Sequence, residues 1–223
     1  MQRTPVQREL TPLVPESQFE FERDAPPQVK QAFRGDVRRI LLPARSRLWK
    51  WTDYDRLRPG PVTPWWAPLE PAAIEGFETM PGLQAIDRQL RARGGGPRTA
   101  LRHALAVLPE WNSMGKLLIV ALHLQAFVFA GMAAMQQMTD LYGDPTPIYL
   151  AGGFGQLFIP NLTDADLDVC DSREELLRVG IEDVELLLAP FDTATPEFHA
   201  LQPKTRRLLK LLGLLTREEA DET

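Results

Sequence analysis

The order of patterns along this chain predicts an α+β fold, and three observations carry that reading. RLWKWT, Arg47 to Thr52, alternates Leu48, Lys50 and Thr52 with Trp49 and Trp51, the period of a strand with two distinct faces. Leu83, Ile86, Leu90 and, past a glycine break, Leu101, Ala104, Leu105 and Leu108 recur at helical spacing. Strands and helices are not in strict alternation, which separates α+β from a doubly wound sheet.

Composition sets the limits within which the elements are read. A length of 223 residues with 44% hydrophobic content suits one domain with a sizeable core. A formal net charge of -5 argues against a general nucleic-acid binder, so no nucleic-acid partner is expected. Cys170 is the only cysteine, which excludes an intramolecular disulfide and a cysteine-built zinc site. His103 and His199 have no companions at ligand spacing, so no metal is expected. The N-terminus lacks the apolar core of a signal peptide, which predicts a cytoplasmic protein or an effector exported without one.

The elements follow in chain order. Residues 1–34 read as a proline-rich arm, because prolines at 5, 12, 15, 26 and 27 prevent a long helix. Residues 35–192 read as the main domain and 193–223 as a helical tail. Val37 to Tyr54 reads as a lead-in segment, a turn at Pro43 and the RLWKWT strand. The next segment, DRLRPGPVTPWWAPLEP, is expected to be irregular because of its prolines. A helix is expected over 81–110, interrupted at RARGGGPR, which lacks the Gly-Lys-Ser/Thr ending of a phosphate loop.

Leu117 to Met135 is long enough to span a bilayer, but His123 and Gln125 lie inside it and no basic cluster flanks it. It reads instead as two strands, KLLIVALHL and QAFVFAG, with Leu122, Leu124, Ala126 and Val128 on one face and His123 a satisfied core histidine; helix is the runner-up, because Ala and Met are abundant from Ala130 to Met138. No membrane span is expected. YGDPTP predicts a turn, IYL and QLFIP two strands, and TDADL a capped turn. SREELLRVG predicts a helix with Ser172 as N-cap and Glu175 three residues on. IEDVELLLAP predicts a closing strand, and PKTRRLLKLLGLL an amphipathic helix.

AGGFGQLFIP, Ala151 to Pro160, is open to two readings. It is a turn into a buried strand, or it is a place where a ligand lies close to the backbone and Gln156 reads it.

LPARSRLWKWT, VTPWWAP and GGFGQLFIPNLTDADL, in this order, resemble the ADP-ribosyltransferase fold. More narrowly they are similar to its bacterial toxin branch, which includes the tuberculosis-necrotizing-toxin type of NAD glycohydrolase. The resemblance spans about residues 40–70 and 115–170. It implies a split mixed or antiparallel sheet and NAD as substrate, with mono-ADP-ribosyl transfer or NAD hydrolysis as the reaction. It implies Lys50 as the first-strand basic residue, with Arg47 as the alternative register, and Gln156 at the third motif. This chain departs from the transferase pattern of two glutamates one residue apart, because Phe154 lies two before Gln156.

The chemistry has requirements of its own. Breaking the nicotinamide–ribose bond develops positive charge on the ribose, as in glycoside cleavage. Such a site needs a cation for the pyrophosphate, flat walls for the rings and a polar group at the sugar. Lys50 or Arg47 supplies the first, with lysine acting as a point charge. Trp49, Trp51, Trp65 and Trp66 supply the second. Gln156 supplies the third, with Thr63 as a supporting hydroxyl and Gly153 and Gly155 allowing close backbone approach. The alternative is a non-catalytic binding or assembly module that docks a protein partner through the arm at 1–34 or the leucine-faced helix at 204–215.

Overall fold

The computed structural model describes residues 19–52, 54, 56–72, 80–92, 104–107, 115–139 and 144–188. Nine strands and five short helices lie among them. The strands are β1 (Phe33–Leu42), β2 (Arg47–Thr52), β3 (Trp65–Pro68), β4 (Lys116–Leu122), β5 (Ala126–Ala133), β6 (Gln136–Thr139), β7 (Pro145–Leu150), β8 (Gly155–Phe158) and β9 (Leu167–Val169). The helices are α1 (Phe21–Asp24), α2 (Pro27–Gln31), α3 (Leu83–Ala92), α4 (Ser172–Arg178) and α5 (Val184–Leu188). The fold is α+β.

Seven strands form one sheet in the order β1-β5-β8-β3-β2-β4-β9, antiparallel at every pairing. β6 and β7 form a separate antiparallel pair. The centre of the sheet is its thinnest point. Trp65 and Trp66 of β3 pair with Phe158 and Leu157 of β8, while Ala67 and Pro68 pair with Trp49 and Leu48 of β2. A four-residue strand thus joins two half-sheets end to end. The prolines around it predict irregular chain. Here Pro68 sits at the strand's last position, beyond the two residues that pair with β8.

Side-chain alternation sends the two faces to different cores. On one face Ile40, Leu48, Trp66, Val120, Val128 and Leu157, drawn from both half-sheets, form a single cluster to which no helix contributes among the described residues. On the other face the cover is divided. Helices α3, α4 and α5 bring Leu83, Ile86, Leu176 and Leu187 onto Trp49, Trp51 and Ile119. Helix α1 brings Phe21 onto Phe33, Phe129 and Phe158, with Phe19 and Trp65 packed beside them. Phe21 and Phe129 stand 5.2 Å apart between ring centroids. Each such ring pair adds about 0.5–1.5 kcal/mol beyond area burial.

The arm expected over 1–34 lies outside the described residues up to 18; from 19 it packs on the sheet and runs into β1. Pro26 and Pro27 divide it into two helices of one turn each. The strand reading of the apolar segment agrees with β4 and β5, and no helix among the described residues is long and apolar enough to cross a membrane. Leu122, Ala126 and Val128 share one core, but Leu124 lies in the turn between the strands, where the period of two breaks.

Three local expectations are corrected. IEDVELLLAP contains helix α5, not a strand: Asp183 Oδ1 accepts from the Leu186 amide, and Val184 and Leu187 bury one helical face. The cap of α4 is Asp171, whose side chain accepts from Glu174 N, while Ser172 Oγ donates to the Leu117 carbonyl. PTP of YGDPTP belongs to β7, a strand that among the described residues is paired on one side, where proline is tolerated. The helix expected over 81–110 is described as α3 and a short turn at 104–105. RARGGGPR from residue 93 on and the tail over 193–223 lie outside the described residues.

Candidate functional site

Where the helical cover divides, above β3, the sheet carries a cavity of about 480 Å³. The geometry of β3 explains why it opens there. Among the described residues, pairing between β2 and β3 stops at Trp49. The cavity therefore reaches residues from both faces of β2: Trp49 and Trp51 on one, Lys50 on the other. Trp65, Trp66 and Ala67 of β3, Gln156 of β8 and Thr63 complete this side. Gln28 and Gln31 of α2, Gln136 of β6 and residues 105–107 enclose it.

Lys50 is the one cation among the described lining residues, and none of those residues is a carboxylate. Its Nζ donates to Thr63 Oγ1 at 2.5 Å and stands 4.0 Å from the centroid of the Trp66 ring. Burial pushes the Lys50 ammonium down from 10.5 to about 8, since neither the hydroxyl nor the ring offsets the lost hydration as a carboxylate would. The indole N–H of Trp66 is buried without a partner among the described residues, a cost of about 1–3 kcal/mol placed beside the cavity.

Gln156 lines the cavity, and its Nε2 donates to the Ala32 carbonyl at 2.7 Å. This bond ties the α2–β1 junction to β8. The amide's acceptor oxygen stays without a protein partner among the described residues.

Sequence reasoning thus placed Lys50, Trp49, Trp51, Thr63, Trp65, Trp66 and Gln156 in one site, and the structure brings those seven together. Three other candidates lie elsewhere. Arg47 Nε donates to Glu175 Oε1 at 2.7 Å, and Arg178 holds the other oxygen of that carboxylate at 2.7 Å. Gly153 and Gly155 do not line the cavity. A Cβ on Gly155 would meet the Met80 side chain at 2.6 Å, and Gly153 N donates to the Ala133 carbonyl. The tightest approach is at Gly152, where φ is +66° and a Cβ would stand 2.4 Å from the Ala133 oxygen. The glycines of AGGFG let backbone pass backbone rather than ligand.

Gln28, Gln31 and Gln136 were not legible as site residues. Gln28 and Gln31 sit in the segment read as arm and Gln136 just past the apolar segment, and only the tertiary fold points them at one cavity. His123 is not a core histidine. It lies exposed in the β4–β5 turn, 2.8 Å from Asp168, whose carboxylate raises its pKa. Arg45 donates to the other Asp168 oxygen at 2.7 Å. The Cys170 thiol is half-buried, and burial pushes its pKa up, away from reactivity.

No family model and no curated protein matches this chain. Three solved structures are similar to it. Tne2, solved in complex with Tni2, is 12% identical, covering 62% of this chain and 92% of that one, at a TM-score of 0.36. Rhs1-CT, solved in complex with its cognate immunity protein RhsI1, is 18% identical, covering 62% and 80%, at 0.35. Tse6, solved in complex with Tsi6, is 14% identical, covering 67% and 87%, at 0.31. Likenesses of that depth establish neither a shared fold family nor an activity.

The arrangement itself has a definite chemical character. The partly exposed Trp65 indole, glutamine side chains and one cation suit a ligand with a planar ring, sugar hydroxyls and negative charge.

Proposed function

We propose that the cavity binds NAD and that this protein cleaves the nicotinamide–ribose bond, by mono-ADP-ribosyl transfer or by hydrolysis, in the manner of a toxin or effector enzyme. The observation that carries this reading is the convergence of Lys50, four tryptophans and Gln156 on one cavity of about 480 Å³. Lys50 meets the pyrophosphate as a point charge. Trp65, the one of the four indoles that is not fully buried, stacks on the nicotinamide. Gln156, with its nitrogen held by Ala32, offers its oxygen to a ribose hydroxyl.

A non-catalytic binding module is the second reading, and one observation favours it: no carboxylate lines the cavity among the described residues. An amide stabilises an oxocarbenium ion less than a carboxylate does.

Incubating the purified protein with NAD and following free nicotinamide separates the two readings. Turnover is expected in the native protein and not in Gln156→Ala. A labelled protein band alongside nicotinamide means transfer, and nicotinamide alone means hydrolysis. No nicotinamide, even with cell extract supplying an acceptor, leaves the binding module as the surviving reading.

A further inference from the structure

We propose that α2 is a movable cover over the cavity and that Gln156 is its latch, so that one side chain both meets the ligand and governs access to it. The cover lies between fixed points. Phe21 and Ala25 before it and Phe33 after it are buried in the aromatic cluster on the sheet. Of residues 26–32 between them, none is buried. A helix of five residues with no buried side chain gains little from packing and lies at the low end of local stability. Pro26 and Pro27 stiffen its first end. Its other end, at Ala32, is where it can part from the sheet.

One atom carries the attachment there. The Ala32 carbonyl accepts from the Ala134 amide at 2.8 Å and from Gln156 Nε2 at 2.7 Å. The first bond prolongs the β1–β5 ladder, in which Phe33 faces Ala133. The second comes from β8 and clamps the fraying end of that ladder. Val29 packs on the aromatic cluster, and Lys30 Nζ donates to the Glu22 carbonyl, which ties α2 to α1.

The cover and the ligand share Gln156. Gln28, Val29, Gln31 and Ala32 line the same cavity as the Gln156 amide. A ligand group that donates to Gln156 Oε1 fixes the plane of the amide and so keeps Nε2 on Ala32. Bound ligand therefore favours the closed cover, and by linkage the closed cover favours ligand. The proposal rests on the reading of this cavity as a ligand site, but not on which ligand it takes. Its test contains no NAD, so a cover that does not move and NAD that is not cleaved are separate results.

Ala67 of β3 lines the cavity at 3% exposure, and a cysteine there reports how often the cover opens. The full chain carrying Ala67→Cys is treated with N-ethylmaleimide, and peptide masses follow label at position 67 and at native Cys170, which does not line the cavity. Adding Gln156→Met is expected to raise the rate at position 67 about fivefold, the factor that one lost hydrogen bond of about 1 kcal/mol gives, with the Cys170 rate unchanged. Val29→Ser, which loosens α2 and leaves Gln156 in place, is expected to raise it too. Ala106→Cys, also 3% exposed in the cavity lining, serves as the reporter should Ala67→Cys not fold. A rate in the cavity that neither change moves, or a rise that Cys170 shares equally, overturns the proposal.

Discussion

Two cations on one strand, three residues apart, live in opposite electrostatic conditions. Arg47, at the start of β2, shares the Glu175 carboxylate with Arg178, and Arg178 reaches on to Glu70 at 2.6 Å. Lys50 faces a hydroxyl, an indole and amides. The first arrangement fastens α4 to the sheet. In the second, a charge is held at an energetic cost in a cavity, a condition found where groups meet ligands. The two cations look equivalent on paper because both are basic residues of one short strand. What differs is the neighbour each meets across the fold.

Removing each member in turn should separate a structural ion pair from a strained site. The largest loss is expected for Arg47→Met. It leaves Glu175, which is largely buried, with Arg178 alone, and should lower unfolding free energy in urea by about 2 kcal/mol. An unchanged midpoint would mean that Arg47 is as idle structurally as a surface charge.

Lys50→Met should move stability the other way. A depression from 10.5 to about 8 corresponds to about 3 kcal/mol of penalty on the charged form. The lost Thr63 bond and Trp66 contact offset about half of that, so a gain of about 1–2 kcal/mol is expected at pH 7. The sign follows from the folded pKa lying below the unfolded one. The wild-type penalty is full below pH 8 and fades as pH rises from about 8 to 10.5. The advantage of the variant should therefore shrink across that window, and urea titrations at pH 7 and pH 10 check it. A variant less stable than wild type at pH 7 would remove the strain from Lys50.

The smallest effect is expected for Gln156→Ala. It deletes one bond to Ala32, worth about 1 kcal/mol. Hydrogen exchange should quicken over residues 21–32 and stay slow in β4, since the bond ties only the N-terminal helices to the sheet. Equal protection in both segments would show that the phenylalanine packing alone holds α1 and α2.

Legibility followed the range of the interaction. RLWKWT could be read because a strand's two faces are written at a spacing of two, and Leu48 and Trp49 do enter different cores. KLLIVAL and AFVFAGMA could be read because apolar runs of strand length survive any tertiary context. VELLL misled because a short run of leucines suits both a strand and a helix, and the Asp183 cap is a single-residue signal. WWAP misled because its strand character comes from two different partners rather than from its own residues. The glycines of AGGFG were rightly seen as a place of close approach, but the sequence does not say what approaches.

The sequence by itself determined an α+β chain with a two-faced tryptophan strand, a buried strand pair and a polar amide after a glycine turn, because these are patterns of neighbours and near neighbours. Only the tertiary structure decided that Arg47 pairs with a carboxylate 128 positions away while Lys50 pairs with none among the described residues. It also decided that Gln156 holds Ala32 across 124 positions and that three further glutamines share its cavity. Which charges find partners depends on which distant elements pack together, and the spacing of residues along the chain does not encode that.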